Sequence, residues 1–272
     1  MNYSPEQAAY VLTEINGALA RAEPDELKVR RVWTILCVLR ARLLASTMRN
    51  ALGNRVNSGP FKGMQLIPSV LEGSFAPALL GIYESELHPI VERIVQQPYK
   101  HILNIGCAYG YYSVGFALRM PQTIIHAFDI EEKRQQQCRE MAMLNGVQDR
   151  VRVGGEFRGE DFAKFANERT LVFMDIEGAE KALLDPALFP ALQKMDVVVE
   201  LHDLFDSTIS ETVLKRFIPT HEFQYVKNKP QLFDFESALG PLGYIDPADM
   251  FLAASENRDG PTPWGILWAK NP

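Results

Sequence analysis

The stretch His101-Ile-Leu-Asn104-Ile-Gly106-Cys107-Ala108-Tyr-Gly110-Tyr111-Tyr112-Ser113 is an apolar run that breaks into a glycine turn and resumes with helical spacing. The run fits one buried strand, Gly106 permits the tight turn that leaves it, and Gly110 lets the backbone approach a ligand. The residues after Gly110 read as a helix to about Leu118. A second apolar run, Thr123-Ile-Ile-His-Ala-Phe-Asp129, ends in a carboxylate 23 residues after Gly106. Strand, turn, helix and strand make the repeating unit of a parallel sheet, where ligands bind at the junctions between strand ends and helix starts.

The same alternation continues outward. Further strands are expected over Arg150–Val153, Leu171–Asp175, Val197–Leu201, Glu222–Val226 and Trp264–Ala269, with helices near 86–96, 131–144, 160–168, 179–192 and 208–217. Near-continuous apolar strands between helices indicate an α/β fold, a seven-stranded and mostly parallel sheet covered on both faces. Upstream, residues 51–82 are rich in Gly, Pro, Ser and Asn and read as a long connection with one strand candidate, Met64–Ile67. Before it lie two helices. Ser4, Pro5 and Gln7 form a capping signature for the first, and Pro24-Asp25 starts the second, which ends near Gly53. We therefore expect a helical extension over 1–58 and the sheet domain over 59–272. The helices are expected to pack on their own domain; a homodimer contact or a lid is the alternative.

Composition sets outer limits. The chain has 272 residues, 47% hydrophobic and 23% charged, enough to bury a full core. Its net charge of −6 argues against a general nucleic-acid binder, which needs Lys and Arg to neutralise phosphates. Residues 1–60 carry eight basic and five acidic side chains, so +3, leaving −9 for the rest. Cys37, Cys107 and Cys138 form neither a disulfide framework nor a zinc pattern. The longest apolar stretch near the start, Trp33–Leu39, is too short for the ~20 residues of a membrane span. The expectation is a cytoplasmic protein with no membrane partner.

The loop and its acid suggest a nucleoside ligand, because a carboxylate at Asp129 can accept both hydroxyl hydrogens of a ribose. A dinucleotide fingerprint would place glycines at Ala108 and Tyr111; bulky Tyr111 and Tyr112 are expected to crowd a pyrophosphate there. Here the chain resembles the class I methyltransferases, and the fold implied is their Rossmann-like sheet. The resemblance implies that S-adenosylmethionine is the cofactor. Asn104, Gly106, Cys107, Ala108, Gly110 and Tyr111 then line it, Asp129 holds its ribose and Ile130 lies against its adenine. Such enzymes usually carry an acid where this chain has Asn104. Gly155 and Glu156, after the third strand, are expected near the base, and Glu84, in the segment before the first strand, is expected to reach the cofactor.

Three further segments resemble the FkbM-type methyltransferases: Leu79-Leu-Gly-Ile-Tyr83-Glu84-Ser-Glu86-Leu-His88, Leu171-Val-Phe-Met-Asp175-Ile-Glu177-Gly178-Ala-Glu180, and Asn257-Arg258-Asp-Gly-Pro-Thr-Pro-Trp264. That resemblance implies O-methylation of a small-molecule or saccharide hydroxyl. N- or C-methylation and a catalytically silent binding protein are the alternatives.

Methyl transfer to an alcohol requires a positioned hydroxyl and a group to take its proton. Asp175, at a strand's carboxyl end, is one candidate and also a cofactor contact. His202 is the candidate general base, since its ordinary pKa lies near working pH and alternation places it on the same side as Glu200. Glu177 and Glu180 have competing readings as helix-capping or dipole-compensating acids. Asp175, Glu200, His202 and Asp203 could gather a divalent ion, but their spacing does not demand one, and no metal ligand is assigned. His88, His101, His126 and His221 read as structural.

Overall fold

The computed structural model describes residues 4–67, 75–228, 246–256, 260 and 262–272. Strands β1 (His101–Ile105), β2 (Ile124–Phe128), β3 (Val151–Gly154), β4 (Thr170–Met174), β5 (Asp196–Glu200), β6 (His221–Val226) and β7 (Trp264–Ala269) form one sheet in the order β3-β2-β1-β4-β5-β7-β6. The pairs from β3 to β5 are parallel, and β7 runs antiparallel between β5 and β6. The expected seven-stranded, mostly parallel Rossmann-like sheet is therefore present. Its order reverses at β1 and β4, so the loops leaving those strands splay apart and open a crevice at the carboxyl edge.

Nine helices, α1 (Pro5–Leu19), α2 (Asp25–Leu52), α3 (Phe75–Leu80), α4 (His88–Ile94), α5 (Tyr111–Arg119), α6 (Glu132–Leu144), α7 (Glu180–Leu183), α8 (Ile209–Phe217) and α9 (Pro247–Ala254), are found among the described residues. Strand alternation sorts the core into two layers. Ile102, Leu171, Phe173 and Val198 face one layer, with Leu44 and Met48 of α2 and the buried sides of α3 to α6. Leu103, Val172, Met174 and Val197 face the other, with Leu184, Ile209, Val213 and Phe217. Burying apolar area at ~25 cal/mol per Å² is what holds both layers to the sheet.

The capping box at Ser4 forms as expected, and α2 ends at Gly53 in a left-handed turn. Only the second half of α2 is buried, through Ala41, Leu44, Ala45 and Met48, and Arg40 pairs with Asp249 of α9. Val29 and Trp33 on the first half remain 69% exposed.

Four sequence expectations change. The helix expected over 179–192 is only the single turn α7, because Pro186 and Pro190 lack the N–H groups a longer helix needs; a 3₁₀ turn follows over Pro190–Lys194. The helix near 160–168 is a 3₁₀ segment, Gly159–Phe165. Met64–Ile67 contributes one isolated bridge, Arg55 to Gln65, and the connecting stretch also holds α3. Helix α9 was not expected at all; Asp246 caps it and Pro247 opens it. No helix among the described residues is long and apolar enough to cross a membrane.

Candidate active site

The β1 loop is built by backbone geometry. Gly106 has φ +80°, and a Cβ there would lie 1.6 Å from the carbonyl oxygen of Asp175, so only glycine lets the ends of β1 and β4 meet. The N–H groups of Gly106 and Cys107 both donate to the Phe128 carbonyl, at 2.8 and 2.9 Å, which binds the loop to the end of β2. Gly110 has φ +94°, and a Cβ there would lie 2.7 Å from Cys138 Sγ. Ala108, at φ 45°, takes a left-handed conformation costly for a residue with a side chain. Its N–H donates to Asp129 Oδ2 at 2.9 Å, and the Glu131 N–H donates to Asp129 Oδ1 at 2.9 Å. The acid thus fixes the loop from the neighbouring strand.

A cavity of about 550 Å³ opens over this loop. Gly106, Ala108, Asp129, Ile130, Gly155, Glu156 and Asp175 all line it, with Phe128, Phe157 and Leu183 as apolar wall and Arg134 at its side. Ile130 is 81% exposed, an apolar side chain with no protein surface to cover it. Each oxygen of Asp129 accepts one backbone N–H and retains capacity for another donor.

Asn104, Cys107 and Tyr111 line a second, smaller cavity of about 40 Å³, which shares Gly106, Ala108 and Asp175 with the first. Asn104 is buried, with Oδ1 accepting from the Ser113 hydroxyl at 2.6 Å and Nδ2 donating to the Phe173 carbonyl at 3.4 Å. The Cys107 thiol is held protonated by its contact with Cys138 and by burial. Tyr111 and Tyr112 pack edge-on against Phe61 and each other, with Tyr83 alongside. Both line the smaller cavity against the glycine loop, and neither lines the larger one. Burial, reinforced by nearby Glu84, raises the pKa of both Tyr83 and Tyr112. Glu84, 2% exposed and left-handed at φ 46°, accepts the Tyr112 hydroxyl at 2.5 Å and donates its N–H to Glu256 Oε1 at 2.6 Å. Glu86 instead accepts from Asn228 at 2.9 Å. Of the third quoted segment, residues 257–259 and 261 lie outside the described residues.

Beside Asp175 stands a cluster that the sequence only partly revealed. His202 is 2% exposed, and its Nδ1 is 2.6 Å from Glu180 Oε1. Its Nε2 lies 3.5 Å from Asp175 Oδ1, 3.4 Å from Glu177 Oε2 and 3.5 Å from Glu200 Oε2. Glu180, for which dipole compensation was one reading, is fully buried and also accepts the Gly178 N–H at 3.1 Å. Glu177 stays exposed, at φ 53°. The left-handed residues other than glycine among the described residues are Glu84, Ala108 and Glu177; the last two line these cavities, and Glu84 accepts from Tyr112 in the wall of the smaller one. Strain of this kind gathers at functional sites.

The carboxylates reset the titration of the cluster. Burial alone pulls the His202 pKa down, but its hydrogen bonds to Glu180 and Glu200, with the charges of Glu200 and Asp175, outweigh it and raise the value to about 10. His202 is therefore imidazolium at neutral pH, which corrects its assignment as a free base of ordinary pKa. Asp175 moves far above the usual carboxylate range, first through burial and then through repulsion from Glu200. Its Oδ1 is buried with no hydrogen bond. Asp175, Glu200 and His202 each offer a ligand atom within 4.8 Å of one another, a donor set that suits a divalent cation. Asp203 does not join them: its Oδ1 accepts the Ser210 N–H at 2.8 Å at the start of α8. His88, His101, His126 and His221 line neither cavity, and His221 bonds Thr220 and the Met195 carbonyl.

No protein-family model matches the chain, and no curated protein matches it. Among solved structures, it is similar to cofactor-bound Rv0187 from MTB at 11% identity, covering 99% of this chain and 92% of that one, with a TM-score of 0.45. It is also similar to the O-methyltransferase from Bacillus cereus in complex with SAH, at 12% identity, 97% and 100% coverage and a TM-score of 0.44. A third is the O-methyltransferase TomG from Streptomyces achromogenes in complex with SAM, at 13% identity, 98% and 99% coverage and a TM-score of 0.44. Likeness at this level bears on the general path of the chain and not on its chemistry; the site stands on its own geometry.

Proposed function

We propose that the chain is an S-adenosylmethionine-dependent O-methyltransferase acting on a small-molecule or sugar hydroxyl. The observation that carries this reading is Asp129, a carboxylate locked by two backbone amides on the wall of a cavity at the switch point of the sheet. Such a group suits the adjacent hydroxyls of a ribose, with Ile130 and Gly155 flanking the base and Gly106 and Ala108 beneath the chain that follows. When bound, S-adenosylmethionine supplies a methyl group on a sulfonium.

The cluster around His202 supplies the acceptor side. Asp175 lines both cavities at the edge of the cluster, where its carboxylate is placed to take the proton of the acceptor hydroxyl. The His202 cation, held by Glu180, faces Asp175 and stabilises its ionised form. The FkbM-type placement rests on the Asp175–Glu180 segment and adds sugars and natural-product hydroxyls as acceptors.

Asp175→Asn tests the division of labour. In a screen of alcohols and sugars that reads S-adenosylhomocysteine release, the variant should lose ~10²–10⁴-fold in turnover while still binding the donor. Unchanged turnover would remove Asp175 from the chemistry. A second reading is favoured by the 4.8 Å grouping of Asp175, Glu200 and His202: these three would hold a divalent ion that orients the hydroxyl and lowers its pKa. Ligation at His202 would displace its proton. Activity that survives exhaustive chelation supports the proton-transfer reading, and activity restored only by added metal supports the second.

A further inference from the structure

Helix α1 and the first half of α2 leave a groove of about 700 Å³ between them, which shares no residue with either cavity described above. Three guanidinium groups line it, Arg21 just past the end of α1 and Arg30 and Arg31 on α2, against one carboxylate, Glu14. These cations gather in a chain whose net charge is −6, so composition does not account for them. Arg31 is fixed in place, its Nε and Nη2 donating to the two oxygens of Glu23 at 2.9 and 3.1 Å. The guanidinium groups of Arg21 and Arg30 make no hydrogen bond or ion pair among the described residues. Like charges held this close repel one another, and an anion between them removes the repulsion.

The floor of the groove is apolar, formed by Ala18, Leu27 and Ile35. Gly17, also in its wall, stands in the last turn of α1, where glycine weakens a helix. A Cβ added there meets no atom within 4 Å, so the glycine serves no close approach and what it gives the groove is width.

We propose that this groove binds an organic phosphate, its phosphoryl group on Arg21, Arg30 and the remaining Nη1 of Arg31, its apolar body over Ala18, Leu27 and Ile35. Guanidinium forks match phosphate oxygens in geometry as well as charge. Three positive lining charges less the one of Glu14 leave +2, which balances a single phosphate monoester. The volume is that of a small-ligand site. The site is independent of the methyl-transfer reading and stands whether or not that reading holds. A soluble phosphate ester and the headgroup of phosphatidic acid present the same chemistry.

Calorimetric titration of the full chain with 1-naphthyl phosphate, inorganic phosphate and uncharged 1-naphthol tests this. Wild type should bind naphthyl phosphate saturably, inorganic phosphate at least ~10-fold more weakly, and naphthol not measurably. Arg21→Gln and Arg30→Gln, which keep a good helix former, should each weaken naphthyl phosphate by ~10-fold, and the double variant should lose it. Gly17→Leu, which fills the floor, should weaken naphthyl phosphate by ~10-fold or more and leave inorganic phosphate within ~2-fold. Sedimentation with phosphatidylcholine vesicles, with and without phosphatidic acid, separates the sources. Pelleting that needs phosphatidic acid and is lost in the double variant assigns the phosphate to a lipid headgroup; naphthyl phosphate binding without pelleting assigns it to a soluble ester.

The proposal fails if wild type shows neither saturable heat with naphthyl phosphate nor pelleting that needs phosphatidic acid. It fails equally if that binding is unchanged in the double variant. Naphthol bound as tightly as its phosphate would overturn the part given to the arginines. Inorganic phosphate bound as tightly as naphthyl phosphate would overturn the part given to the apolar floor.

Discussion

The Gly106–Ala108 loop and the His202 cluster meet at Asp175 but are held by different forces. The loop is fixed by φ angles, backbone amides and one carboxylate that braces it from β2. The cluster is fixed by side chains: one imidazolium enclosed by four carboxylates, two of them buried. The contrast teaches where each region is vulnerable. A surface built from backbone tolerates changes of charge and fails when a single carbon is added. One built from buried ions tolerates small changes of shape and fails when a charge is removed or titrated.

The largest effect should come from Gly106→Ala, since the added carbon would sit 1.6 Å from the Asp175 carbonyl oxygen in a left-handed residue. A loss of ~4 kcal/mol or more is expected in chemical denaturation, with donor binding lost; a near-normal variant would mean that β1 and β4 are not in contact there. His202→Ala comes next, at ~3–5 kcal/mol, because it leaves Glu180 buried without its partner. His202→Ala and Glu180→Ala combined should cost less than their sum, and strict additivity would dissolve the pair.

The pH dependence follows from the same ion pairs. The His202 value is raised from 6.5 to about 10 on folding, so the folded state holds this proton more tightly. Its stabilising share is complete below about pH 6.5 and is lost as pH rises through about 10. Asp175, also raised, acts with the same sign at lower pH, since ionising it costs stability as pH climbs above its ordinary 3.8. Denaturation midpoints should therefore fall from pH 6.5 to 10 in wild type and run flatter in His202→Ala; parallel curves would show that His202 is not the group. The smallest effect is Asp203→Ala, at ~1 kcal/mol from the lost helix-start bond of α8, with turnover unchanged. A marked loss of turnover would return Asp203 to the cluster.

The backbone-built region was the more legible in sequence. Buried strands are near-continuous apolar runs, and all seven start and end within one residue of their expected bounds, because nothing else in the chain competes for that pattern. The glycines and Asp129 declare themselves through spacing alone. The side-chain cluster was half hidden. Alternation along β5 correctly joined Glu200 to His202, but no periodicity connects Glu180 to His202, which meet between the start of α7 and the loop after β5. Asp203 was misjudged because the chain has already left the sheet there and no longer alternates. The turn at Gly110 aims the first turn of α5, with Tyr111 and Tyr112, at the aromatic core beside the smaller cavity, a direction that spacing alone does not give. Trp264 gave no sign of its unsatisfied N–H, which depends on what surrounds it in the fold.

The central claim is that the β1 loop and Asp129 bind the nucleoside of a methyl donor. Titrating S-adenosylmethionine into wild type and Asp129→Ala by calorimetry measures it most directly. Two lost charge-assisted hydrogen bonds predict that wild type binds and that the variant binds at least ~100-fold more weakly. Binding of the donor unchanged by Asp129→Ala, or no heat from wild type alongside saturable binding of NADH, would contradict it.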